Sequence, residues 1–99
     1  MIVVQVSVRA KPESVAQLQQ TLRQVVAEAR LSPGCLRYDW YRSPDAEREI
    51  FVYAEFESDE AYAQYRKGPV ARKIGEQLIP LLEAQPSFKR FSATVLEQG

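Results

Sequence analysis

The stretch CLRYDWYRSPDAEREIFVYAEF, residues 35–56, decides the fold. Residues 35–42 alternate: Leu36, Tyr38 and Trp40 fall on one face of an extended chain, and Cys35, Arg37, Asp39 and Tyr41 on the other. Ser43-Pro44-Asp45-Ala46 is a cluster of turn formers. Glu49 to Phe56 then reads as a second strand, rich in the β-formers Ile50, Phe51, Val52 and Tyr53. Large apolar or aromatic groups occupy both of its faces, which predicts an interior strand. The short link makes the pair a hairpin.

Working outward, Ile2 to Ala10 reads as a strand with Ile2, Val4, Val6 and Val8 on one face and Val3, Gln5, Ser7 and Arg9 on the other. Lys11-Pro12 breaks it, with Pro12 and Glu13 suited to the first turn of a helix. Val15, Leu18, Leu22, Val25, Val26 and Ala29 recur at helical spacing. Ser32-Pro33-Gly34 closes that helix, with Gly34 free to take a left-handed turn. Beyond the hairpin, Ser58 is an N-cap followed by Asp59 and Glu60, and the helix carries Ala61, Tyr62 and Tyr65 on one side. Gly68-Pro69 splits it from a second piece with Val70, Ile74 and Leu78. Pro80 interrupts that pattern, Gln85-Pro86 is another break, and Phe88 to Leu96 reads as the last strand.

The order is β-α-β-β-α-β, an α+β, ferredoxin-like arrangement with a four-stranded antiparallel sheet and helices on one face. Right-handed crossovers favour the first and third strands at its centre. Residues 1–99 read as a single domain, with no repeat, linker or low-complexity segment. Helices cover only one side of such a sheet, yet the strands place apolar or neutral groups on both. A second copy of the chain is the simplest cover for the other side.

Composition removes whole classes of chemistry. Thirteen basic and 13 acidic residues give zero formal net charge, against a nucleic-acid partner or a polybasic membrane arm. With 45% hydrophobic and 26% charged residues the chain is ordinary globular material. No apolar run is long enough for a membrane span and Met-Ile-Val-Val lacks a basic n-region, which predicts a soluble, cytoplasmic protein. A single cysteine, Cys35, excludes an intrachain disulfide and a thiolate metal cage. The absence of histidine excludes histidine triads, histidine-ligated zinc and a proximal-histidine haem. Any general base must be a carboxylate raised, or a tyrosine or lysine lowered, by its surroundings.

SPGCLRYD (residues 32–39) and VYAEFESDEA (residues 52–61) resemble the two characteristic stretches of the antibiotic biosynthesis monooxygenase domain family, which includes quinol monooxygenases and small cofactor-free oxygenases of polyketide pathways. Lys11-Pro12-Glu13 and Phe88 to Ala93 also fit. The resemblance implies a dimeric α/β barrel in which two sheets pack face to face. It implies a homodimer acting on a small aromatic substrate, phenolic or quinol-like, with molecular oxygen and neither cofactor nor metal. The chain departs from the family pattern where relatives carry histidines: Gln64-Tyr65-Arg66 and Pro69-Val70 stand at two such places. Gly75 stands where haem-degrading relatives hold iron, so that role is not expected.

Under this resemblance Tyr65 takes the helix histidine's place and Glu55 is the candidate base. Gln5, Ser7 and Tyr53 would orient substrate oxygens, and Trp40 would form a wall. Each has a plainer reading beside it. Tyr62 and Tyr65 also suit the packing face of a helix, and Tyr38, Tyr53 and Trp40 suit core or interface. Glu55 also suits an ion pair with Arg37 or Arg42. A different activity on the same fold, isomerisation or binding of an anionic small molecule, would want basic groups converging in the cavity.

Overall fold

Val4, Val6, Val52 and Ala54 form the middle of the molecule because two strands place them opposite one another. In the computed structural model, which describes residues 1–99, β1 (Ile2–Arg9) pairs antiparallel with β3 (Glu49–Phe56) from Ile2 opposite Phe56 to Arg9 opposite Glu49. On the other side β1 pairs with β4 (Ser87–Ser92), and β2 (Cys35–Arg42) pairs with the outer edge of β3. The sheet order is β2-β3-β1-β4, with β1 and β3 central as the sequence predicts. Three helices lie on one side: α1 (Val15–Ala29), α2 (Asp59–Arg66) and α3 (Pro69–Leu78). The chain has the ferredoxin-like α+β fold. None of its helices is long and apolar enough to cross a membrane.

The core lies between this layer and the sheet. Leu18, Leu22, Val25, Val26 and Ala29 of α1 are buried against Ile50 and Phe56. Each large aliphatic or aromatic side chain removed from water in this way contributes about 1.5–3 kcal/mol. Leu81 and Leu82 complete it beneath the sheet end, following a short 3₁₀ turn (Ile79–Leu81).

Three details differ from the sequence reading. First, a β-bulge lies between Cys35 and Arg37. It places Cys35 opposite Phe56, on the helix side, whereas uninterrupted alternation would put it with Arg37, Asp39 and Tyr41. Second, the last strand stops at Ser92 and does not run to Leu96. Ser92 already stands opposite Ile2, where β1 begins, and only Ala93 continues the pairing, exchanging backbone bonds with Met1. Third, the first strand stops at Arg9, and Ala10 forms only an isolated bridge to Leu82.

Gly34 holds α1, β2 and α2 together. Its φ of +78° is left-handed, and a Cβ there would stand 2.5 Å from the Cβ of Ala61. Its carbonyl accepts from the Glu57 amide at 2.9 Å, tying the turn to the end of β3. Gly34→Ala is therefore expected to destabilise the fold by about 2 kcal/mol or more. The measurement is the urea midpoint; an unchanged midpoint would show that α2 yields to the methyl group at no cost.

Candidate functional site

Phe56 ends β3 on the helix side and is fully buried. Ser58, two residues on, caps α2 by accepting from the Ala61 amide at 3.1 Å. The cap fixes where the helix starts, and helical spacing then brings Tyr62 and Tyr65 over the Phe56 ring. Tyr62 meets it edge-on at 5.4 Å between centroids, and Tyr65 lies tilted over it at 5.1 Å. Tyr38 reaches in from β2, and its hydroxyl is 2.8 Å from that of Tyr65. Below the rings, Val4, Val6, Val52 and Ala54 form the floor of an apolar cavity of about 140 Å³.

Tyr38, Tyr62 and Tyr65 are the polar residues lining this cavity, and the hydroxyls of Tyr38 and Tyr65 pair with one another. Both are held above the ordinary phenol range: burial disfavours the charged form, and for Tyr65 the neighbouring Tyr38 adds to it. They stay protonated at neutral pH and do not act as bases. Two hydroxyl protons are present and their mutual hydrogen bond uses one, so one remains to be donated to a ligand oxygen. No lysine or arginine lines the cavity. Beyond Tyr65 a larger cleft of about 500 Å³ lies among the end of α1, the end of α2 and the start of α3.

The opposite side of the sheet is a grid set by register. Arg37, Glu55, Val3 and Phe91 form one row across the four strands. Asp39, Tyr53, Gln5 and Lys89 form the next, and Tyr41, Phe51, Ser7 and Ser87 the third. Two of its charged groups, Arg37 and Asp39, are paired, and Glu55 is hydrogen-bonded. The Asp39 carboxylate accepts from Arg37 at 2.7 Å and from Arg30 at 2.8 Å, and Arg37 above all holds its pKa below the usual range. The Tyr53 hydroxyl donates to Glu55 at 2.6 Å, a bond that raises the Tyr53 pKa.

The six residues singled out from sequence therefore do not form one constellation. Tyr65 lines the helix-side cavity. Gln5, Ser7, Tyr53 and Glu55 lie on the open side, with the sheet between. Glu55 is bonded to Tyr53 and takes no part in the cavity, and Arg37 pairs with Asp39 and not with it. Trp40 is on the helix side but not in the cavity wall: it stands at the outer strand with the Arg23 guanidinium 5.8 Å above its ring. Strand alternation gives this separation directly, since residues of one strand with opposite parity never share a side. Tyr38, which reads from sequence as core or interface, is the hydroxyl partner of Tyr65. Its parity with Trp40 signals the side; which tyrosine of α2 it meets depends on how the helix crosses the sheet. Cys35 is half-buried against the core, and burial pushes its thiol up. Nowhere do three Cys, Asp or Glu side chains converge as a metal centre would require.

A four-stranded antiparallel sheet with helices on one side defines the ferredoxin-like α+β class. The sequence profile of the antibiotic biosynthesis monooxygenase family (ABM) matches residues 1–92, and the chain belongs to that family. Its backbone is similar to that of a candidate antibiotic biosynthesis monooxygenase from Deinococcus radiodurans, with a TM-score of 0.90 at 17% identity over 99% of this chain and 97% of that one. It is similar also to Rv0793 from Mycobacterium tuberculosis, with a TM-score of 0.87 at 21% identity over 98% of both chains. A third, from Nitrosomonas europaea, has a TM-score of 0.88 at 14% identity over 96% of this chain and all of that one. At such identities the likeness is one of fold. No curated protein matches the chain.

The raised phenols give a sign for alkaline stability. The folded state holds these protons more tightly than the unfolded state, whose tyrosines ionise near pH 10. Their contribution is intact below about pH 10 and is lost as pH rises further. In an ultraviolet absorbance titration the folded protein should show incomplete tyrosinate formation at about pH 11, completed only as it unfolds. A Tyr38→Phe/Tyr65→Phe double variant should lose less stability over the same interval. Full ionisation with the fold intact would contradict the burial of the pair.

Proposed function

We propose that this protein is a single-domain, cofactor-independent monooxygenase of the cytoplasm that acts on a one-ring phenolic or quinol-type substrate. The observation that carries the reading is the Tyr38–Tyr65 hydroxyl pair at an otherwise apolar cavity of about 140 Å³. An apolar cavity of about 150 Å³ holds benzene, so the size fits one aromatic ring and not a fused system. The absence of cationic lining disfavours a phosphorylated or anionic substrate at this place.

The substrate supplies the electrons. A hydroquinone that has lost a phenolic proton is rich enough in electrons for a ring carbon to bond dioxygen. The ring hydroperoxide then expels water and leaves a hydroxyquinone. One oxygen atom enters the ring and the other leaves as water. Hydroquinone plus dioxygen balances hydroxybenzoquinone plus water, a four-electron oxidation with no external reductant. The free proton of the tyrosine pair donates to the substrate oxyanion, and the apolar floor keeps water from competing. No base lines the cavity, so the rate should climb with pH as the substrate ionises, about tenfold per unit below the substrate pKa. The pair stays protonated and adds no falling limb in that range.

The test is oxygen uptake with hydroquinone in metal-free buffer. One dioxygen should be consumed per hydroquinone without release of hydrogen peroxide. Tyr65→Phe should slow turnover about tenfold, and the double variant with Tyr38→Phe about a hundredfold or more. Uptake no faster than in buffer would overturn the reading.

A second copy of the chain covers the open side of the sheet. Val3, Tyr41, Phe51 and Phe91 supply the apolar area, and Tyr41, Phe51 and Phe91 are otherwise exposed. The Arg37–Asp39 and Tyr53–Glu55 pairs among them are already bonded, which lowers the cost of covering those groups. Gln5, Ser7, Tyr53 and Glu55 then lie in the seam between copies. Sedimentation should give a mass near twice 11.3 kDa, and Phe51→Asp should give a monomer that remains folded. A wild-type monomer at micromolar concentration would overturn the dimer.

A further inference from the structure

Tyr65 is the one residue that lines both the inner cavity of about 140 Å³ and the outer cleft of about 500 Å³. Every other wall residue belongs to one space alone. The cavity's floor is β-sheet and cannot move without breaking the ladder. Tyr38, Tyr62 and Phe56 are buried, whereas Tyr65 is only half-buried and sits in the last turn of the short helix α2. The backbone breaks immediately after it, at Gly68-Pro69. What keeps its ring in place is one hydroxyl bond of 2.8 Å to Tyr38 and ring contacts with Phe56 at 5.1 Å, Tyr38 at 5.8 Å and Tyr62 at 6.4 Å.

From this the geometry points to Tyr65 as a swinging partition, latched by Tyr38, that sets how many rings a substrate can have. Latched, it closes a space of one-ring size. Swung toward the cleft into another staggered rotamer, it joins the two spaces into one passage whose outer part lies within the range of about 300–1,000 Å³ typical of ligand sites. The outer part is walled by Leu31, Pro33, Pro69 and Val70, with Glu28 and Gln64 at its polar edge. Aromatic substrates therefore enter from the α1–α3 side, and a fused-ring substrate is admitted only by holding the partition open. The proposal rests on the helix-side cavity being the substrate pocket, and its test is chosen to stand apart from turnover.

Two probes that need no reaction decide it. Xenon enters dry apolar cavities, and its exchange can be followed by NMR. Tyr38→Phe removes the latch without removing volume, so xenon exchange should quicken about five- to tenfold, the effect of one net hydrogen bond. The second probe is the ratio of naphthol to phenol affinity, measured by calorimetry. Wild type should favour phenol by about tenfold, and Tyr65→Ala, which joins the two spaces permanently, should abolish or reverse that preference. Unchanged xenon exchange in Tyr38→Phe, or an unchanged affinity ratio in Tyr65→Ala, would overturn the partition. Tyr38→Phe is conservative, so the xenon arm reads out even where Tyr65→Ala folds poorly. If hydroquinone gives no oxygen uptake while both probes behave as expected, the oxygenase reading falls and the partition stands. If uptake occurs and the probes do not respond, the partition alone falls.

Discussion

A strand gives each side chain one of two sides, and nothing in between. That constraint governs this molecule more than any single contact. β1 and β3 run centrally through the sheet, so their alternation divides the chain's chemistry into two sets that cannot meet. Val4, Val6, Val52 and Ala54 go to the helix side and build an apolar floor. Gln5, Ser7, Tyr53 and Glu55 go to the other and build a polar lattice. An enzyme of this architecture cannot recruit both sets to one substrate within a single chain.

The division limits what chemistry the helix-side cavity can offer in a protein without histidine. The helix side lacks any group able to accept a proton near neutrality, because Tyr38 and Tyr65 are held in their neutral form by burial. What it offers is a donor, dryness and shape. The substrate proposed above fits those terms, being acidic enough to ionise by itself and electron-rich enough to need no cofactor. The polar lattice on the far side has a different logic. Asp39 lies between two arginines and Glu55 accepts a hydrogen bond from Tyr53, so its carboxylates are satisfied before anything covers them.

The fold was legible in the sequence because its signals are local. Alternation in residues 2–9 and 49–56 gave the central strands, and helical spacing from Val15 to Ala29 gave the first helix, each within a residue or two. Gly34 marked the turn that its positive φ requires. The last strand reads too long because alternation continues to Leu96 while the pairing goes no further than the bonds between Ala93 and Met1. The candidate site was legible only in part. Parity assigns Gln5, Ser7, Tyr53 and Glu55 to one side, but the family resemblance drew them toward Tyr65 across the sheet. The Tyr38–Tyr65 bond joins residues 27 positions apart through the angle at which α2 crosses β3, and no pattern along the chain encodes that angle.

The bulge at Cys35 and Arg37 acts as a phase shifter. The tight turn at Gly34 fixes where the chain leaves α1, and packing against Ala61 fixes it closely. The β2 ladder has an independent requirement, that Tyr38 stand opposite Ala54 on the helix side. The two periodicities are out of step by one residue, and Leu36, which stands 56% exposed, absorbs the difference. The bulge thereby lets the turn and the phenol pair each keep its own geometry. In this small protein the one residue of β2 left out of the ladder lies two residues from one half of its proposed reactive pair.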